Sequence, residues 1–234
     1  SKKGILVVNS AGNAGSSDWK YIGTPADVEQ VLTVGGTNPK TDAHIGFSAF
    51  GPAADHTMKP NVSALGKVVA AKGSDYSIVH GTSFSSPLVA GFVACAWQAN
   101  RNLSTSQMFE KIEASSHLYP YFDYAHGYGI PQADHFLEGN PRKDNTTFSI
   151  ESDKDSVYVK LTDEAWDQAL EANNKNLPIK KNLFYHIEAA NGTLRSFKVV
   201  RLEGPKLSWS KEEFYKNEVL RVHFEGYTSK QIIR

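Results

Sequence analysis

In the first part of the chain, hydrophobic positions fall into short unbroken runs rather than alternating ones. Residues 4–10 (Gly-Ile-Leu-Val-Val-Asn-Ser) and 31–37 (Val-Leu-Thr-Val-Gly-Gly-Thr) are each about one strand long and rich in β-branched side chains. Such runs predict strands of a buried parallel sheet. Residues 68–71 and 76–79 predict a hairpin leading into His80. After Ser83 the period changes. Pro87 lies in a first helical turn, where its missing N–H costs little. Ala90, Gly91, Phe92, Val93, Ala94, Cys95, Ala96 and Trp97 then put small or apolar residues on nearly every side, which predicts a helix enclosed all round. Ser104 and Gln107 form a capping-box pattern ahead of Met108, Phe109, Ile112 and Ala114, predicting an amphipathic helix.

The pattern shifts after Gly139. Gly139-Asn140-Pro141-Arg142-Lys143-Asp144-Asn145 reads as a linker. Short alternating segments follow at 147–150, 157–161, 183–188, 196–202, 207–210 and 219–224, with a strong hairpin turn at Asn191-Gly192. Repeated short strands with turn signals predict a small β-sandwich. Residues 163–172 fit either a short helix or an irregular loop. The expected organisation is an α/β domain over residues 1–139, a linker over 140–146 and a β-sandwich-like domain over 147–234.

Composition narrows the function classes. The 234 residues carry 25 basic and 25 acidic side chains with no long block of either sign, which argues against nucleic acid or an anionic membrane as partner. No apolar run is long enough to span a bilayer. A single cysteine, Cys95, rules out an internal disulfide framework and reads as a small buried packing residue. Glu212 and Glu213 read as solvated loop charges rather than an acid/base pair.

The richest chemistry lies in His80-Gly81-Thr82-Ser83-Phe84-Ser85-Ser86-Pro87-Leu88-Val89-Ala90-Gly91. A serine at a helix start meets unpaired backbone N–H groups and the positive dipole end, which stabilise an oxyanion forming beside it. Taken alone, Gly-Thr-Ser is an ordinary helix cap. The full string Gly-Thr-Ser-x-Ser-x-Pro-x-x-Ala-Gly closely resembles the nucleophile motif of the subtilisin-like serine proteases, the subtilases. That resemblance implies that Ser83 is the nucleophile and that its backbone N–H is one oxyanion donor. Ala11-Gly12-Asn13-Ala14-Gly15, after the first strand, resembles the segment carrying the second donor, the side-chain amide of Asn13. Ile22-Gly23-Thr24-Pro25-Ala26 resembles the segment lining the pocket for the residue before the cut bond. There Gly23 leaves room for a large apolar side chain, and Ser10, Ala11 and Gly12 form one wall. The family often has a cis proline at the position of Pro25.

Other matches are structural. Phe47-Ser48-Ala49-Phe50-Gly51 resembles a family turn. Residues 59–66 resemble Lys-Pro-Asp-Val-x-Ala-Pro-Gly, with Asn61 and Leu65 departing from it. Gly127-Tyr128-Gly129 resembles the family's closing turn. The third glycine of a dinucleotide fingerprint is missing there. The resemblance covers about residues 4–137.

A protease of this kind also needs a base and an orienting carboxylate. The family motifs for both precede the oxyanion asparagine, and neither stands before Asn13. His80 occupies a position usually held by a small polar residue and is not read as the base. Asp55-His56 falls in a structural turn, and His44, His117, His126 and His135 have no motif around them. The reading is therefore a subtilisin-like parallel sheet with helices on both faces, incomplete and lacking its N-terminal half, followed by the β-domain. The implied function is serine endopeptidase activity in a secreted or cell-envelope parent protein, acting on peptide or protein substrates. This chain alone is expected to be inactive. Its expected partners are the missing half of the catalytic domain and, through an uncovered sheet edge, another copy of itself. Family members often bind calcium, but the usual ligand segments are not matched, so no cofactor is assigned to this chain. The alternative is a non-catalytic folded fragment whose β-domain binds a partner, a glycan or the cell surface. An α/β-hydrolase is ranked last, because Gly81-Thr82-Ser83-Phe84-Ser85 breaks Gly-x-Ser-x-Gly.

Overall fold

The computed structural model describes residues 3–137, 145–174 and 182–233. The chain divides into two compact units, Ser1–Pro141 and Arg142–Arg234. Most of the expected linker lies outside the described residues.

In the first unit, β1 (Val7–Ser10), β2 (Val31–Thr37) and β3 (Val62–Leu65) form a parallel sheet in the order β1-β2-β3. Every residue of β2 is buried, as expected of a central strand covered on both faces. On one face Leu32, Val34, Val62 and Ala64 pack against Val89, Val93 and Ala96 of α1 (Thr82–Ala99). Met108 and Ile112 of α2 (Thr105–Ser115) join the same cluster. The predicted capping box opens α2: the Ser104 hydroxyl accepts from Gln107 N, and Gln107 Oε1 accepts from Ser104 N. On the opposite face Ser63 Oγ donates to the His126 carbonyl and Thr33 Oγ1 to the Ala26 carbonyl. The expected hairpin forms from β4 (Lys67–Lys72) and β5 (Asp75–His80). The Thr24–Pro25 bond is cis.

Two expectations need correction. The helix α1 is not enclosed: Leu88, Ala90, Gly91, Ala94 and Cys95 are exposed, so Cys95 is no buried packing residue. The first strand, expected in a buried sheet, is likewise exposed at the uncovered edge also expected of it, with Val7 at 46% and, just before the strand, Ile5 at 60% exposure. The reason is shared. Among the described residues only β2 pairs with β1, and the side of α1 turned from the sheet is left exposed.

In the second unit, β6 (Phe148–Ser152), β7 (Ser156–Leu161) and β10 (Lys206–Ser210) form one antiparallel sheet in the order β10-β7-β6. A second has the order β12-β11-β8-β9, from β8 (Asn182–Glu188), β9 (Leu194–Arg201), β11 (Val219–Phe224) and β12 (Tyr227–Ile232). Phe148, Val157, Leu161, Leu183, Leu220 and Phe224 belong to one core shared by both sheets, and neither sheet closes into a barrel. The ambiguous segment is helical, α3 (Asp163–Asn174), and adds Ala165 and Ala169 to that core.

Candidate functional site

Ser83 is the second residue of α1, directly after Thr82 and the flanking Gly81. Gly81 has φ 145°, a conformation that side chains with Cβ resist, so glycine sets the sharp entry from β5 into the helix. No side chain caps this helix start. Ser83 is exposed, and among the described residues its hydroxyl has no hydrogen-bond partner. A serine so placed lies within the positive end of the helix dipole.

Asn13 is held against the same turn. Its Oδ1 accepts from the Thr82 backbone N–H at 2.9 Å and from the Thr82 hydroxyl at 3.1 Å. The backbone N–H decides the amide orientation, because the reverse would set NH2 against N–H; the Thr82 hydroxyl then donates to the same oxygen. The Asn13 amide hydrogens therefore point away from Thr82. Gly12 N–H also reaches the Thr82 hydroxyl, at 3.2 Å. Thr82 thus ties the 12–13 turn to the residue preceding Ser83.

The proposed pocket segments lie side by side. Ala11 and Ile22 belong to one small apolar cluster with Ala26 and Ala49, which brings Ser10-Ala11-Gly12 beside Ile22-Gly23. A Cβ at Gly23 would meet nothing within 4 Å. The space beside Gly23 is open.

The histidines tell a different story. None forms a hydrogen bond to Ser83 among the described residues. His117 Nδ1 accepts from the Ile130 N–H at 2.9 Å. His56 has φ 67° in an exposed turn, next to Asp55, whose carboxylate accepts from Thr57 N. Asp123 and His126 form a buried pair that the sequence reading missed. His126 Nδ1 lies 2.9 Å from Asp123 Oδ1, and His126 Nε2 accepts the His44 backbone N–H at 2.8 Å. Burial pushes the Asp123 carboxyl up, yet electrostatic attraction to the His126 ring and hydrogen bonds from His126 and Ala125 hold it below the usual range. The pair resembles a base with its orienting acid, but the base nitrogen is already occupied by a backbone amide. Burial, aided by His126, drives the His44 ring down to about 4.

Lys59 was also missed. Its side chain is fully buried, with Nζ 2.6 Å from the Val31 carbonyl and 2.9 Å from Asn61 Oδ1. Asn61 Nδ2 in turn donates to Glu113 at 2.8 Å. Asn61, a departure from the family pattern, thus bridges the lysine to a carboxylate on α2. Among the described residues, no group of three or more His, Cys, Asp or Glu side chains is arranged to hold a metal ion.

The family model described as the subtilase family, peptidase S8, matches residues 1–129. Subtilisin DY of Bacillus licheniformis is 33% identical over 114 residues, covering 48% of this chain and 40% of that protein. M-protease of Shouchella clausii is 32% identical over 106 residues, covering 45% of this chain and 26% of its own length. Among solved structures, Sphericase aligns with a TM-score of 0.49 at 25% identity, covering 56% of this chain and 49% of that one. The chain therefore spans less than half the length of these relatives.

Proposed function

Because the chain belongs to the subtilase family, we propose that it carries the nucleophile and the oxyanion donors of a serine endopeptidase. Ser83 Oγ attacks the peptide carbonyl, its proton passing to a base that this chain does not supply. The Asn13 amide and the Ser83 backbone N–H hold the oxyanion, the second at the start of α1 where the dipole favours negative charge. Collapse expels the amine and leaves an acyl-serine, which water hydrolyses. Ser10, Ala11, Gly12 and Gly23 line the pocket for the residue before the cut bond, and the open space at Gly23 favours a large apolar side chain. The parent protein acts outside the cytoplasm, secreted or in the cell envelope. The uncovered β1 edge and α1 face receive the polypeptide that brings the base and its carboxylate, or else a second copy of the chain.

The observation that carries this reading is the clamp of Thr82 on Asn13, one residue before an unpartnered serine at a helix start. A fluorophosphonate probe tests it. The chain alone is expected to resist labelling. Once polypeptide carrying the catalytic aspartate and histidine is added, labelling maps to Ser83 and is abolished by Ser83→Ala. Rapid stoichiometric labelling of the isolated chain overturns the division of labour, and labelling at another residue overturns the nucleophile.

A further inference from the structure

The Asp123–His126 pair has no place in the chemistry above, yet its bonds lead toward the 12–13 turn. Asp123 is fully buried and accepts from the His126 N–H and the Ala125 N–H, both at 2.8 Å, and from the Tyr121 hydroxyl at 3.1 Å. These donors fix the carboxylate, and the carboxylate fixes the His126 ring through Nδ1. The proton sits on Nδ1 and the lone pair on Nε2, which receives the His44 backbone N–H. The His44 ring then continues the chain, its Nε2 donating to the Ser48 carbonyl at 2.9 Å while the ring stacks on Phe50 at 4.2 Å.

From this loop two backbone bonds cross to the turn. Ala49 N donates to the Gly12 carbonyl at 2.9 Å, and Gly15 N donates to the Phe47 carbonyl at 2.8 Å. The surfaces are pressed together. A Cβ at Gly15 would lie 2.1 Å from the Ser48 carbonyl oxygen and 2.8 Å from that of Gly46. With no slack at Gly15, a shift of residues 46–49 passes directly into the turn that carries Asn13.

We propose that Asp123 and His126 are a positioning pair for Asn13, acting through His44 and the 46–49 loop. Thr82 fixes the turn from one side, and the His126–His44 link fixes it from the other. Misplacing a preorganised group by about 1 Å costs on the order of a hundredfold in rate, so such a brace has chemical value. The proposal rests on Asn13 being the oxyanion donor, but its test does not use activity.

Two variants of His126 separate its two bonds in the full chain. His126→Gln places an acceptor near the position of Nε2 and preserves the link to His44 N–H. His126→Asn keeps a donor to Asp123 and deletes that link. Amide signals of Gly12, Asn13, Thr82 and Ala49 are followed by NMR, together with hydrogen exchange. The expected result is that His126→Asn moves these signals and speeds exchange of the Ala49 amide by about tenfold, whereas His126→Gln restores both. A purely structural role for the buried pair predicts the reverse order, with His126→Asn the milder change, and that outcome overturns the proposal. If either variant fails to fold, His44→Phe serves instead, keeping the backbone N–H and the stacking ring while removing the bond to Ser48. Unchanged Gly12 and Asn13 signals in His44→Phe also overturn it. Fluorophosphonate labelling away from Ser83 would overturn that nucleophile and leave this result standing.

Discussion

The buried Lys59 makes alkaline pH stabilising for the first unit. Burial lowers its ammonium to about 8 from an ordinary 10.5, against the opposing pull of Glu113. Between those values the unfolded chain binds a proton that the folded chain does not, so stability rises with pH there. The drop is about 2.5 units, and at about 1.4 kcal/mol per unit the full gain is about 3.5 kcal/mol. Below pH 8 both states are protonated and the cost of the buried charge is present in full. Contacts with Val31, Asn61 and the Glu29 carbonyl, at 2.6, 2.9 and 3.4 Å, keep that cost from being larger. The assay is urea unfolding from pH 7 to 10.5, comparing the chain with Lys59→Met so that other titrations cancel. The variant loses a constant amount from the deleted bonds to the Val31 carbonyl and Asn61 Oδ1, the latter keeping its bond from Thr33 N. The difference between the two proteins is expected to grow in favour of the parent by about 1.4 kcal/mol per pH unit above pH 8. A flat difference, or one that shrinks, refutes the assignment of a lowered Lys59.

Gly81→Ala is expected to cost at least about 1 kcal/mol, because φ 145° strains any residue with Cβ, and urea midpoints measure it. Glu218 is 2% exposed and held by Arg195 at 2.6 and 2.8 Å and by Tyr215 N at 2.9 Å. Glu218→Gln should destabilise the second unit by about 1–3 kcal/mol, read by thermal melting, and should leave the exchange rates of β2 amides unchanged. Ile5→Lys with Val7→Lys is expected to abolish self-association in sedimentation at a stability change within about 0.5 kcal/mol. A parent chain that stays monomeric at high concentration refutes association through that edge.

What could be read from the sequence was what is local. The serine string, the capping box at Ser104 and Gln107, and the hairpin before His80 each specify themselves within a dozen residues. The strand Val62–Leu65 is not legible as a strand, since four residues give too short a run for a period to show. Apolar residues all round α1 were legible, but their cover was not, because periodicity reports what a face is made of and not what lies against it. Asp123 and His126, three residues apart, look like any polar turn. Only the fold brings the His44 amide to the far ring nitrogen. Lys59 was equally silent, since a lysine between apolar neighbours gives no sign that Val31 and Asn61 will enclose it.

The Thr82 clamp on Asn13 has one more consequence. Since both contacts fall on the carboxamide oxygen, the direction of the N–H bonds is decided when the chain folds and costs nothing when a ligand arrives. An aspartate there would keep the oxygen and its two contacts while exchanging the outward hydrogens for negative charge. The turn would look unchanged, and any anion approaching Ser83 would meet repulsion in place of a welcome.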